Sequence, residues 1–345
     1  MNTSNSSDDQ HRNDSQQVRA VVFTGQDQVE VQSIARPTPE PEEVLVRNHT
    51  TLISTGTETT CLARRFAPGT HWDEWVQYPF YTGYCGAGEI VELAEQTGDW
   101  QIGDHVVGWL SHQTYAATER EKLVAIPESV TFEEAAWVPM GCIASYGFRK
   151  ANVQIGETVV VLGLGILGQL IVQLSALAGA ERIIAIDPAG KRVDMAAAHG
   201  ATHPVKAGAQ DATQQIADLT GGEMADVAFE MTGHPQVFAA AQGLLGDFGR
   251  LVLVGDTGFP EKQHLTPHLI RNNLTLIGAH QRLAAKERVW THARLGEHFI
   301  NAIASKQIRV ADLITNRFAL EDAADAFELL QTQRDQAMGV VLEHI

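Results

Sequence analysis

Gly163, Gly165 and Gly168 form the pattern G-x-G-x-x-G, and a carboxylate, Asp187, stands 19 residues beyond the last of them. Glycines so spaced bring backbone amides against a diphosphate. Gly163 permits a tight turn, Gly165 lets the chain approach the phosphates, and Gly168 lets helix and strand touch. A carboxylate at that distance accepts both hydroxyls of an adenosine ribose and repels a 2′-phosphate, which favours NAD over NADP.

The flanking elements must hold these groups. Val159 to Leu162 is a short apolar run suited to a strand buried on both faces, and Ile166 to Ala178 reads as a helix closed by Gly179 at the left-handed C-cap position. The first helical amides, at Ile166 and Leu167, then point with the positive end of the helix at the phosphates. Ile183 to Ile186 is the next strand, ending at Asp187. Strand, glycines, helix, strand and acid in one unit predict a dinucleotide site rather than an ordinary turn.

The 345 residues exceed one simple core and imply two domains. Lys and Arg number 25 against 42 acids, for a net charge of −17, so no basic stripe exists for nucleic acid. No 18-residue apolar run and no N-terminal apolar leader occur, which predicts a cytoplasmic protein without membrane contact. Residues 1–17 are polar and predict a solvated, disordered tail. Cys61, Cys85 and Cys142 have no C-x-x-C spacing and predict neither a disulfide framework nor a cysteine-rich metal lobe.

Val18 to Pro127 reads as β-rich, with strands over Val18 to Phe23, Val29 to Ser33, Val44 to Ser54, Gly83 to Glu92, Asp104 to Leu110 and Leu123 to Ile126. Thr131 and Glu134 have capping-box spacing, and Pro139 should break or kink the helix that follows. Beyond Asp187, strands and helices alternate. Helices are expected over Arg192 to His199 and Pro235 to Leu245, and strands over Asp226 to Glu230, Arg250 to Val254 and Leu274 to Ile277. That order predicts a doubly wound parallel sheet. Helices over Lys286 to Ser305 and Leu320 to Thr332 and a strand over Gly339 to Leu342 complete the chain.

This organisation resembles the medium-chain dehydrogenase/reductase superfamily from Val18 onward. The resemblance is carried by Gly56-Thr57-Glu58, the Gly83 to Gly88 turn, Ile102-Gly103-Asp104-His105-Val106-Val107, Gly156-Glu157-Thr158-Val159 and the glycine fingerprint. The S-x-G-T-E start resembles the bacteriochlorophyllide and glycoside dehydrogenase branches. The resemblance implies an α/β fold with a GroES-like β-rich catalytic domain (18–142 and 282–345) and a Rossmann dinucleotide-binding domain (143–281). It also implies cofactor contacts at Arg192, at Thr232 and Gly233, at Val254 and Gly255, and at Ala279 and Gln281. Leu274 to Ala279 resembles the edge strand through which family members form homodimers.

Zinc-dependent members place ligands where this chain has Thr55, Tyr84 and Cys142, so one of three ligand types survives where an open tetrahedral site needs three. A zinc-free enzyme is expected; the alternative is a rebuilt site from Cys85, Cys142 and a histidine such as His71 or His112. Without metal, another group must take the proton that leaves the alcohol. Thr57 matches the family's proton-relay hydroxyl, and Tyr84 replaces a ligand facing the same cleft. Glu58 follows the family's acid behind the ligands; it serves as base, orients its neighbours, or is a structural acid paired with Arg64 or Arg149. Tyr84 is either catalytic or a packed core phenol.

Cys61 to Tyr81 should cover the substrate mouth. His71, Trp72 and Trp75, with Asp73, Glu74 and Tyr78, suit a polyhydroxylated ligand, the rings taking C–H faces and the polar groups the hydroxyls; burial of the tryptophans in the loop's own core is the alternative. The expected activity is NAD-dependent interconversion of a secondary alcohol and a ketone on a sugar, glycoside or cyclitol. The alternatives are a quinone or enone reductase and a cofactor-binding protein without turnover.

Overall fold

The structure is a computed structural model and describes residues 17–344. The tail expected over residues 1–17 lies outside the described residues except for Gln17, which opens the first strand, Gln17–Gly25. The molecule is an α/β protein with a β-rich part and a doubly wound parallel sheet.

The parallel sheet has six strands in the spatial order His203–Val205, Arg182–Ile186, Thr158–Leu162, Ala225–Glu230, Leu245–Leu253 and Thr275–Gly278. The strand order reverses between Thr158–Leu162 and Ala225–Glu230, and ligands of such sheets bind in the crevice at that switch point. Every residue of Thr158–Leu162 is buried, as its unbroken β-branched run requires. Thr275–Gly278 pairs on one side only, so its outer backbone edge is free among the described residues.

The β-rich part holds a seven-stranded sheet and a three-stranded one. Glu43–Leu52 is the hub of the larger sheet, pairing with Gly86–Leu93, with Tyr115–Glu119 and with the terminal strand Gly339–Glu343. The chain's last segment thus returns to the first sheet. Glu134 closes a full capping box with Thr131. Pro139 stands in the first turn of a new helix, Val138–Ala151, where its missing N–H costs nothing.

Several boundaries differ from those the sequence predicts. The helix expected to reach Leu245 ends at Gln242, and its strand begins at Leu245 rather than Arg250, because parallel pairing with Ala225–Glu230 extends the strand through a bulge. The helix expected from Lys286 begins at His292 under a Thr291 cap and follows a 3-10 turn, Gln281–Lys286. Among the described residues no helix is long and apolar enough to cross a membrane.

Candidate active site

At the glycine turn, Gly163 has φ +90°, a conformation that excludes most side chains. A Cβ on Gly168 would lie 2.0 Å from the Gly163 carbonyl oxygen, so only glycine lets helix Ile166–Leu177 meet the turn. Around the position of a Gly165 Cβ there is open space, and no side chain caps this helix. Its first amides therefore face a groove that an anion would fill.

Asp187 sits beside that groove, buried, with Oδ2 accepting from the Leu164 amide at 2.8 Å and Oδ1 from the Ala189 amide at 2.8 Å. Arg192 Nη1 lies 3.9 Å from Oδ2. The other expected contacts gather at the adjoining strand ends. A Cβ on Gly163 would strike Thr232 Cγ2 at 2.5 Å, and one on Gly255 would strike the Gly233 amide at 2.4 Å. Val254 packs on helix Val138–Ala151 beside Gly147. Ala279 is buried, and Gln281 carries a buried Oε1 with no hydrogen-bond partner, an acceptor awaiting a donor such as a carboxamide. The donors and shape present fit an adenine dinucleotide.

Sequence reasoning passed over Glu230. It is fully buried at the strand end and accepts from the amides of Thr232 and Gly233, at 2.7 and 3.1 Å, and from the Thr232 hydroxyl. Burial outweighs these bonds and lifts its carboxyl from 4.5 to about 7. The signal available was an acid ending an otherwise apolar strand, two residues before Thr232.

The Tyr84 hydroxyl donates to Ser54 Oγ at 2.6 Å and lies 3.4 Å from Thr57 Oγ1. Burial, first of all, holds the phenol above its ordinary pKa, with the bonds to Ser54 and Thr57 opposing. Its ring stacks on Trp109, with centroids 5.7 Å apart, and Trp109 meets His292 at 5.5 Å. His292 Nε2 is 2.9 Å from the Gln281 carbonyl oxygen, which ties this wall to the segment that follows strand Thr275–Gly278. Trp109 and His292 carried no sequence motif.

Glu58 is 2% exposed and surrounded: Oε1 accepts from the Ser54 amide at 2.7 Å, and Oε2 accepts from Thr82 Oγ1 at 2.7 Å and meets His112 Nε2 at 2.9 Å. Its partner is thus His112, not Arg64 or Arg149. Arg64 pairs with Asp73, and Arg149 lies over the Trp290 ring. His112 is itself fully buried, and its Nδ1 lies 2.7 Å from Thr51 Oγ1.

Two of the three positions where the family resemblance expects metal ligands, Thr55 and Tyr84, carry side chains that are not the usual zinc donors. Thr55 and Tyr84 offer hydroxyls, and Cys142 offers a buried thiol whose pKa burial lifts to about 12. Cys142 Sγ contacts the His292 carbonyl oxygen at 3.8 Å. Among the described residues no three His, Cys, Asp or Glu side chains stand together as a metal cluster. Of the candidates for a rebuilt site, His112 is committed to Glu58 and Thr51, and His71 Nε2 is paired with Asp256 at 2.7 Å.

The expected substrate segment divides. Trp72 is 5% exposed and packs in a core with Phe66, Val76 and Phe327, so it supports the loop rather than presenting a face to a ligand. Trp75 is 51% exposed and free to do so. His71 bridges to Asp256 just past Gly255, and the Ala67 amide donates to the Gly258 carbonyl at 2.8 Å, so this segment reaches across to the ends of the parallel strands.

Residues 167–293 match the family model described as zinc-binding dehydrogenase. The chain is 34% identical over 165 residues to the D-guloside 3-dehydrogenase of Escherichia coli (strain K12), a match that spans 47% of this chain and 47% of that protein. It is thus aligned with about half the length of that relative. It is 23% identical over 358 residues to the sorbitol dehydrogenase of Bacillus subtilis (strain 168), spanning 95% of this chain and 97% of that protein. Its fold superposes on galactitol-1-phosphate dehydrogenase from Escherichia coli with a TM-score of 0.82 at 20% identity, covering 94% of this chain and all of that one.

Proposed function

We propose, from the premise that this chain belongs to the medium-chain dehydrogenase/reductase superfamily, that it interconverts a secondary alcohol and a ketone on a polyhydroxylated substrate, with NAD and without catalytic zinc. The observation that carries this reading is the Tyr84 hydroxyl. It stands in a wall with Ser54, Thr57 and Trp109 at a position where zinc-dependent relatives have a metal ligand.

A bound nicotinamide dinucleotide would supply the hydride acceptor or donor. The chain's residues must orient the alcohol, receive its proton and exclude water. Thr57 and Tyr84 hold the substrate oxygen between two hydroxyls. Because burial holds Tyr84 protonated, it acts as a neutral relay and not as a phenolate: it takes the alcohol's proton as it passes its own to Ser54, and the released proton ends in bulk water. Glu58 is a positioning residue: it grips the Ser54 amide, and Ser54 accepts from Tyr84. Positioned acid–base groups are worth about 10² to 10⁴ in rate.

NAD preference is supported by the Asp187 carboxylate at the end of its strand, and a polyol substrate by exposed Trp75 near the His71–Asp256 bridge and by what the similar proteins are named for. The same reading divides the chain into 18–142 with 282–345 and 143–281, and pairs two copies through the free edge of Thr275–Gly278. Three buried free thiols suit a reducing compartment, and we place the protein in the cytoplasm.

The test is fluorescence titration with NADH and NADPH, followed by a panel of polyols and glycosides, with elemental analysis for zinc. Preference for NADH, ketone formation and activity that survives chelation support the proposal. Turnover of enones with NADPH, binding without turnover, or one zinc per chain with activity lost on its removal would each overturn it.

A further inference from the structure

A line of hydrogen-bonding side chains leads from Tyr84 into the β-rich part. The Tyr84 hydroxyl donates to Ser54 Oγ at 2.6 Å, and the Ser54 amide donates to Glu58 Oε1 at 2.7 Å. Glu58 Oε2 meets His112 Nε2 at 2.9 Å, and His112 Nδ1 lies 2.7 Å from Thr51 Oγ1. The line goes on from there. Thr51 Oγ1 lies 2.9 Å from Nε2 of His344, the residue that follows the terminal strand Gly339–Glu343.

Thr51 thus stands between two imidazoles. Its hydroxyl has one proton, so it donates to one ring nitrogen and accepts from the other. Strand pairing fixes the arrangement: Thr51 lies opposite Leu342 in register, two residues before His344. Burial, and then the charges of His112 and His49, hold the His344 ring at a pKa of about 3, so it stays neutral. A neutral imidazole passes a proton on by taking one at one nitrogen as it releases one from the other.

Glu58, His112 and Thr51 are closed off from water. His344 is half-buried, and its amide donates to the carbonyl of His49, whose side chain is 38% exposed, so the line ends near the molecular surface. At that end His344 Nδ1 has no hydrogen-bond partner among the described residues. A purely structural network would leave no such atom over, whereas a path for protons needs an unbonded nitrogen at its outer end.

We propose that the proton released by the alcohol leaves the site along Ser54, Glu58, His112, Thr51 and His344. This rests on the alcohol–ketone reading above and adds the path by which its proton reaches water. Hydride passes with its electron pair from the alcohol carbon to the nicotinamide, and the hydroxyl proton passes to Tyr84 as Tyr84 gives its own to Ser54. The Ser54 hydroxyl turns to give its proton to Glu58 Oε1, which its amide already holds. Thr131 shows that geometry, its amide and hydroxyl both donating to Glu134 Oε2, at 3.0 and 2.9 Å. The proton shared by Glu58 Oε2 and His112 Nε2 settles on the ring, the Nδ1 proton moves to Thr51, the Thr51 proton to His344 Nε2, and the His344 Nδ1 proton to water. One proton enters and one leaves, so the charge of the line is unchanged. Reorientation of the hydroxyls and rings restores it between turnovers.

The test is stopped-flow oxidation, by the full-length protein and NAD, of a polyol that the panel above shows to be a substrate. A pH indicator in weak buffer follows the released proton beside NADH, and in the wild type both should appear at one rate. Thr51→Val, which keeps the side chain's size, and His344→Ala, at the end of the line, should each slow proton release and kcat about tenfold and raise the solvent deuterium isotope effect. NADH affinity should not change. Imidazole added to the assay should restore the rate of His344→Ala and not that of Thr51→Val. Wild-type kcat and isotope effect in either variant would overturn the relay. A fall in kcat with an unchanged isotope effect and no response of His344→Ala to imidazole marks a structural role and overturns it as well. Wild-type protein that oxidises no polyol sinks the alcohol–ketone reading and the relay together, and the wild type alone reveals that case.

Discussion

Glu58 Oε2 and His112 Nε2 lie 2.9 Å apart, and both side chains are closed off from water. The two residues stand 54 positions apart in the chain, and each supplies the other with a buried polar partner. Glu58 has further donors in Thr82 and the Ser54 amide, and His112 has Thr51. Removing one partner leaves a buried polar group stranded.

His112→Ala should therefore cost about 3–5 kcal/mol of unfolding free energy, measured by urea denaturation at pH 7. Adding Glu58→Gln in the same chain should cost less than the sum of the two single changes, because the stranded group is gone. Additive losses would show that the pair is not coupled.

Tyr84→Phe removes one hydroxyl and leaves the ring stacked on Trp109. We expect kcat to fall about 10²- to 10³-fold with NADH affinity unchanged. Equal falls in NADH affinity and kcat would place Tyr84 in the packing of the site instead of its chemistry.

Trp72 and Trp75 should behave oppositely despite their spacing. Trp72→Ala opens a cavity against Phe66 and should destabilise by about 3–5 kcal/mol. Trp75→Ala should change stability by less than about 1 kcal/mol but raise KM for a polyol severalfold. Thermal melts and steady-state kinetics on both variants separate the roles, and an unaltered KM for Trp75→Ala removes that ring from the substrate face.

Glu230 keeps its proton to about pH 7 when folded and releases it near 4.5 when unfolded. Its ionisation therefore costs nothing below pH 4.5, costs progressively more between 4.5 and 7, and the full amount above 7. Against Glu230→Gln, which does not titrate, wild-type stability should fall by about 3 kcal/mol over that window. Parallel stability curves for the two proteins from pH 4.5 to 7.5 would rule out a raised carboxyl.

Much of the parallel sheet was legible because its signals are local. The apolar run at Thr158–Leu162, the glycine spacing and the acid ending the next strand each depend on residues a few positions apart, and the structure places all of them as read. The capping box at Thr131 and Glu134 was equally plain, since both of its bonds lie within one turn. The turn near Leu245 is not legible locally, because Leu244 and Leu245 suit a helix by propensity, while pairing with a distant strand decides where the next strand starts.

The sequence by itself determined the α/β organisation, the glycine turn and its acid, and the absence of the usual ligand residues at Thr55 and Tyr84, since composition and periodicity are carried along the chain. Only the tertiary structure decided that Glu58 meets His112, that Tyr84 is walled by Trp109 and His292, and that Trp72 turns inward. Those pairings join residues tens to hundreds of positions apart, and which of them form is fixed by how the two sheets and their helices pack, for which no local pattern carries a signal.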